Sequence, residues 1–310
     1  VAEIRPFRFG VETAGAPNAA RWRDIARAVE DLGYRTLLII DHLSDQLAPV
    51  PAMLAAADAT TTLRVGSHML ANEFRHPALL AKEAATVDLL SEGRLELGLG
   101  AGWNRAEHER IGVELPAPPT RVDRLAEAIA VVKGLLEHES FSFSGRHYAL
   151  DEVAGLPRPV QRPRPPLMVG GGGRAILSLA AREADIVGLN ANLASSRSDA
   201  SSAATMTGAA TAAKVEWIRA AAGSRFDALE LSVRVYYTVV TSDAEAAAAG
   251  LGPLTGLPVA EALRSPHLLL GDTERLVDSL QEYREIYGIS YFVITADAYE
   301  AFAGVVSRLG

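Results

Sequence analysis

Four consecutive glycines, Gly170, Gly171, Gly172 and Gly173, stand directly before Arg174. An apolar run precedes them and a helical pattern follows. Backbone N–H groups at a helix start and a guanidinium fork would therefore converge at one point, where a phosphate can sit. A ligand-free turn is the alternative, but one glycine suffices for a turn. No Gly-Lys-Ser/Thr follows, so this is not a Walker loop, and no acidic residue closes a second strand about 20 residues on, so it is not the dinucleotide fingerprint. Asp41 and His42 follow another apolar run. Histidine is the side chain whose proton moves near neutral pH, so His42 is the candidate acid/base and Asp41 its neighbouring carboxylate; a satisfied histidine capping the scaffold is the competing reading. His68 lies inside a third run, with structural and functional readings both open. Trp103 leaves a fourth run through Gly98, Gly100 and Gly102, and would wall a substrate pocket or plug the loop beneath it. His76, just before Pro77, reads as a cap or ion-pair partner, whereas His108, His138, His147 and His267 read as bland. No His-Glu-x-x-His spacing or carboxylate pair points to a metal.

These residues share a setting. Short apolar runs at 7–11, 36–40, 63–70, 94–99, 166–169, 185–189, 231–240 and 290–295 show little polar alternation, as strands buried on both faces do. Helical stripes alternate with them. In 18–33 the stripe is Trp22, Ile25, Val29 and Leu32, with Asn18 as N-cap and Gly33 as stop; in 273–287 it is Leu276, Leu280, Tyr283 and Tyr287, with Asp272 as cap and Gly288 as stop. Segments 77–90, 121–136 and 174–182 read alike. Eight strand-then-helix units imply right-handed parallel crossovers and a (β/α)8 TIM barrel, with an open doubly wound sheet as the competitor. The chain is read as a single barrel domain over 1–310, with insertions after the fourth and sixth strands at about 103–120, 137–165 and 190–213. The second holds a hairpin around 141–150. The third, poor in large apolar residues, reads as a mobile lid or disordered loop. In a barrel the site lies past the C-terminal strand ends, which gathers Glu12, Asp41, His42, His68, Asn72, Trp103, Asn104, the glycine run and Asn190. Of these, Glu12, Trp103, Asn104 and Asn190 are the candidate substrate-pocket residues.

Composition narrows the chemistry. With 30 Lys and Arg against 38 Asp and Glu the formal charge is -8, which argues against a broad nucleic-acid surface. The chain has no cysteine, which excludes disulfides, thiol catalysis, Cys-ligated zinc and Fe–S clusters. No secretory h-region opens the chain and no apolar run approaches a membrane span, so a soluble cytoplasmic protein without a membrane partner is expected.

The stretch Phe74-Arg75-His76-Pro77-Ala78-Leu79-Leu80-Ala81-Lys82-Glu83, then Asp88, Ser91, Gly93-Arg94-Leu95 and Gly98-Leu99-Gly100-Ala101-Gly102-Trp103-Asn104, resembles the bacterial luciferase-like monooxygenase superfamily. The glycine run, Arg182-Glu183-Ala184-Asp185 and Gly271-Asp272-Thr273 extend the likeness over nearly the whole chain, and its detail is most similar to the branch that uses coenzyme F420, a deazaflavin, rather than FMN. The resemblance implies the same barrel, with a flavin-type ring over the strand ends. It implies that His42, Asn72, Gly102 and Trp103 approach the ring, that Asp41, His68 and Met69 help to bind it, and that the glycines and Arg174 hold the phosphate. It further implies a non-proline cis peptide at His68–Met69, a homodimer, and a small-molecule substrate. F420 has an anionic tail and the chain is net negative, so capture falls to local donors such as Arg174, Arg75 and Arg105. The implied reaction is a hydride transfer with His42 moving the accompanying proton. The alternatives are an FMN-dependent monooxygenase fed by a separate reductase, a non-catalytic flavin-binding barrel, and a phosphosugar-type barrel enzyme.

Overall fold

All eight apolar runs supply strands of one parallel ring in the computed structural model, which describes residues 5–193 and 200–310. The barrel strands are β1 Arg8–Thr13, β2 Thr36–Ile39, β3 Arg64–Ser67, β4 Leu95–Gly100, β5 Leu167–Gly171, β6 Ile186–Leu189, β7 Glu230–Arg234 and β8 Ile289–Thr295. Their order around the ring is β3-β2-β1-β8-β7-β6-β5-β4, and Val65 opposite Leu95 with Gly66 opposite Glu96 closes it. That closure decides for the barrel over the open sheet. Every residue of β4 is buried, because a parallel strand has the barrel interior on one face and helices on the other.

The helices form where the stripes lie. Ala19–Asp31 buries Trp22, Ile25 and Val29, and the Asn18 side chain accepts from the Arg21 N–H. Thr273–Tyr287 buries its four-residue stripe, with the Asp272 carboxylate accepting from the Arg275 N–H and Gly288 ending the helix at φ 73°. His76 caps the helix Pro77–Leu90 by accepting from the Ala78 N–H. Among the described residues no helix is long and apolar enough to cross a membrane.

Three stretches depart from the sequence expectation. The run at 63–70 is two pieces: β3 ends at Ser67, the His68–Met69 peptide is cis, and Leu70–Ala71 then pairs with Leu99 and Gly100. The run at 231–240 also divides. After β7 the Val235 N–H still bonds to Val293, but the Tyr236 N–H turns to His267, and Tyr237–Val240 pairs in parallel with Leu268–Gly271 outside the barrel. The lid reading of 190–213 needs correction: 194–199 lies outside the described residues, and the part from Gly208 is the start of a helix, Gly208–Ala222. Small alanines are strong helix formers, Thr207 caps the start by accepting from the Ala210 N–H, and Thr211, Lys214 and Val215 are buried. The hairpin in the second insertion is present as Ser140–Ser144 paired with Ala149–Ala154.

An ionic layer closes the N-terminal end of the barrel. Arg8 donates to Glu96 at 2.9 Å and Glu230 at 3.0 Å, and stacks 4.0 Å over the Tyr291 ring. The open space is at the other end.

Candidate active site

A cavity of about 390 Å³ opens over the C-terminal strand ends, lined by residues following β2 to β6 and by Arg234 at the end of β7. Asp41, His42, His68, Met69, Gly102, Trp103, Asn104, the run Gly170 to Arg174, and Asn190 all reach it. Glu12 and Asn72 are not on its wall. Glu12 lies beneath it with both carboxylate oxygens taken, and Asn72 is buried with its amide donating to the Tyr148 hydroxyl at 3.2 Å.

The neighbours Asp41 and His42 point to different partners, as consecutive residues past a strand do. Asp41 accepts a fork from Arg75, at 2.5 and 3.1 Å, and the Ala71 N–H at 2.9 Å. Arg75 is therefore committed to Asp41 rather than free for an anionic tail. His42 turns the other way and places Nδ1 2.9 Å from Glu107 Oε2. With the Nδ1 proton donated to that carboxylate, Nε2 is the nitrogen left to exchange a proton. Its ring meets Trp103 edge-on, with centroids 5.6 Å apart.

Glu107 was not singled out from the sequence. It lies in the short helix Arg105–Arg110, four residues after Trp103, and one helical turn brings it back over the strand end. That spacing after a strand-exit tryptophan was the available signal. His108, read as bland, is also on the cavity wall; it is 1% exposed, tilted against the Phe74 ring with centroids 4.7 Å apart, and bonds through Nδ1 to the Asn104 carbonyl at 2.8 Å.

A second imidazole–carboxylate pair lies deeper. His68 Nδ1 is 2.5 Å from Glu12 Oε2, and Arg234 holds the other Glu12 oxygen. Burial drives the Glu12 carboxyl upward, but Arg234 and His68 outweigh it and hold it at about 2. The chain of contacts continues sideways. Arg234 lies 4.6 Å over the Tyr236 ring, the Tyr236 hydroxyl donates to Asn190 Oδ1, and Lys214 donates to the Asn190 carbonyl at 2.6 Å. His267 stays scaffold: its Nδ1 donates to the Arg234 carbonyl at 2.8 Å, and burial with the Lys214 and Arg234 charges drives it down to about 3.

The glycine run is partly explained by packing. A Cβ on Gly170 would fall 2.4 Å from the Met69 methyl, and one on Gly172 would fall 2.3 Å from the Ala191–Asn192 backbone. Gly173 differs: its Cβ position meets nothing nearer than 3.8 Å. It is the N-cap of the helix Arg174–Glu183 and supplies no side-chain acceptor. The first intrahelical bond runs from Leu177 to the Gly173 carbonyl, so the N–H groups of Arg174, Ala175 and Ile176 have no helical acceptor. The Arg174 side chain is exposed and, among the described residues, bonds to no other group. Free N–H groups, an unpaired guanidinium and open space fit a phosphate.

The sequence profile of the luciferase-like monooxygenase family matches residues 4–283. An F420-dependent glucose-6-phosphate dehydrogenase of Microbacterium testaceum is 30% identical over 191 residues, covering 58% of this chain and 55% of that protein. An FMNH(2)-dependent dimethylsulfone monooxygenase of Pseudomonas putida is 30% identical over 208 residues, covering 67% of this chain and 52% of that protein. The matched region thus spans about half the length of these curated relatives. In fold, the chain superposes on the coenzyme F420 dependent tetrahydromethanopterin reductase of Methanopyrus kandleri with a TM-score of 0.77 at 18% identity, covering 98% of each chain. A closed parallel barrel and a profile match over nine-tenths of its length place this chain in the luciferase-like monooxygenase family, among relatives that are F420- or FMN-dependent oxidoreductases.

Proposed function

We propose that this chain is an F420-dependent oxidoreductase that moves a hydride between the deazaflavin ring and a small organic substrate. The observation that carries the reading is the His42–Glu107 pair opening into the same cavity as the unpaired helix start at Arg174. A proton-handling group and an anion cradle share one space. Bound F420 supplies a two-electron hydride donor or acceptor and does not activate oxygen. Arg174 and the N–H groups of residues 174–176 would hold its phosphate, and Met69, Gly102 and Trp103 would border its ring. His42 gives a proton to the substrate heteroatom, or takes one from it, as the hydride moves. Glu107 fixes the imidazole tautomer and stabilises the imidazolium, and Trp103 keeps water from the ring edge. The Microbacterium relative supports this cofactor. The Pseudomonas relative favours a second reading, an FMN-dependent monooxygenase served by a separate reductase.

Titration with each cofactor, followed by protein fluorescence, separates the two. The first reading expects F420 to bind at least tenfold tighter than FMN, and reduced F420 to be oxidised by some member of a panel of ketones, imines and activated alkenes. Tight FMN binding without any response to F420 would overturn it. The same reading includes a homodimer through the helix Pro77–Leu90, where Leu79 and Leu90 are each 63% exposed. Leu90→Glu should convert a dimer to monomer in sedimentation velocity.

A further inference from the structure

Part of the cavity wall takes no part in that chemistry. Arg121, in the first turn of the helix Pro118–Glu137, is only 4% exposed, yet its Nε and Nη1 are buried without a hydrogen-bond acceptor. Buried charged groups in folded proteins are paired or hydrogen-bonded. His108 and Glu73 share the anomaly. With Nδ1 donating to the Asn104 carbonyl, His108 Nε2 is a bare acceptor, and both Glu73 oxygens are buried without a donor. Glu73 and His108 flank Gly102, whose added Cβ would lie 3.0 Å from Glu73 Oε2 and 3.5 Å from His108 Nε2. Glu73 attracts Arg124 and Arg121 and is not itself on the cavity wall. Burial penalises both, raising the Glu73 carboxyl and lowering the Arg121 guanidinium. Arg121 and His108 line the cavity over the exits of β3 and β4, whereas the glycine cradle lies over those of β5 and β6.

The donor and acceptor inventory of these two residues defines what would bind them. Arg121 offers only donors, and His108 Nε2 only an acceptor. A carboxylate would satisfy Arg121 but face the His108 Nε2 acceptor, and a ketone would leave that acceptor unmet. A planar group with a carbonyl oxygen beside an N–H satisfies both sides. Phe74, Pro118 and Val122 supply apolar walls for such a plane.

We propose that Arg121 and His108 form a subsite for an amide-type group, a carboxamide, lactam or ureide edge, with its carbonyl on Arg121 and its N–H toward His108 Nε2. The inference rests on the cavity being the substrate site and deepens that reading by naming a substrate class. The same chemistry could come from the lactam-type edge of a bound deazaflavin.

The test uses the full chain without cofactor, so a failure of F420 dependence would leave it readable. Calorimetry compares 2-phenylacetamide with its N,N-dimethyl amide and with phenylacetate. The expected result is at least tenfold tighter binding of the primary amide than of either analogue, with that preference lost in Arg121→Met and reduced in Arg121→Lys. A second arm measures F420 affinity in Arg121→Met: a tenfold loss assigns the bound edge to the cofactor, and an unchanged affinity assigns it to the substrate. Equal binding of the three probes, no binding of the amide by the unsubstituted protein, or a preference that survives in both Arg121 variants would overturn the proposal.

Discussion

The barrel mouth holds two imidazole–carboxylate pairs built alike and placed differently. In each, Nδ1 faces a carboxylate, leaving Nε2 for whatever the cavity holds. The His42–Glu107 side chains are 25% and 11% exposed, and Glu107 makes no other ion pair among the described residues. The His68–Glu12 side chains are 3% and 4% exposed, and Arg234 occupies the second Glu12 oxygen. The outer pair opens to the cavity, and its carboxylate has no second cationic partner among the described residues. The inner pair is locked in a charge balance that loses its sense if either partner changes. On the proposed function, like contacts serve exchange in one place and positioning in the other, with burial and the third partner deciding which.

The sharpest way to break the comparison is to remove the outer imidazole. His42→Ala should lower the rate of F420-linked turnover by about 10²- to 10⁴-fold, the usual size of a lost acid/base group, with little change in melting temperature. Glu12→Gln should do the reverse in kind. Leaving the partly buried Arg234 without its counter-charge should cost about 2 kcal/mol of stability in denaturant unfolding, less than for a fully buried pair. The pH dependence follows from the same carboxylate. Its folded value, about 2, lies below the ordinary 4.5, so its stabilisation is complete above 4.5 and is lost as pH falls through that window toward 2. Glu12→Gln should flatten that part of the acid-unfolding curve. Glu107→Gln is expected to be milder, about ten- to a hundredfold in turnover, because the imidazole stays in place with a weaker orienter. Its stability should move by less than about 1 kcal/mol, as for a partly exposed pair. The smallest effect belongs to the phosphate cradle: Arg174→Ala should weaken F420 binding by about tenfold, leaving the backbone N–H groups to hold the anion.

The barrel was legible because its signal is local. Buried parallel strands read as unbroken apolar runs, and caps such as Asn18 and Asp272 announce their helices. Residues just past those runs, His42, Trp103 and Arg174 among them, could be placed on the cavity wall by counting strand ends. Pairings across the chain could not. The partner of His42 is 65 positions away, and the charges of Arg121 and Glu73 come within range of each other only after a helix, a strand and an insertion have folded between them. Glu12 was assigned to the pocket because it ends a strand, but the Arg234 at the end of another strand draws it beneath the floor. Composition also misled where it was read as polarity alone: the segment after residue 207 lacks large apolar side chains because alanine is enough to pack a helix there, not because it is a loose lid.

The most direct test of the account measures two quantities on the same preparations of the unsubstituted chain and His42→Ala: the dissociation constant for F420, and the rate at which saturating reduced F420 is oxidised by the substrate found in the panel. The account predicts F420 affinities equal within about threefold and a rate at least about 100-fold lower in the variant. A variant that turns over as fast as the unsubstituted chain would contradict the role given to His42, and a chain that ignores F420 while binding FMN tightly would contradict the cofactor.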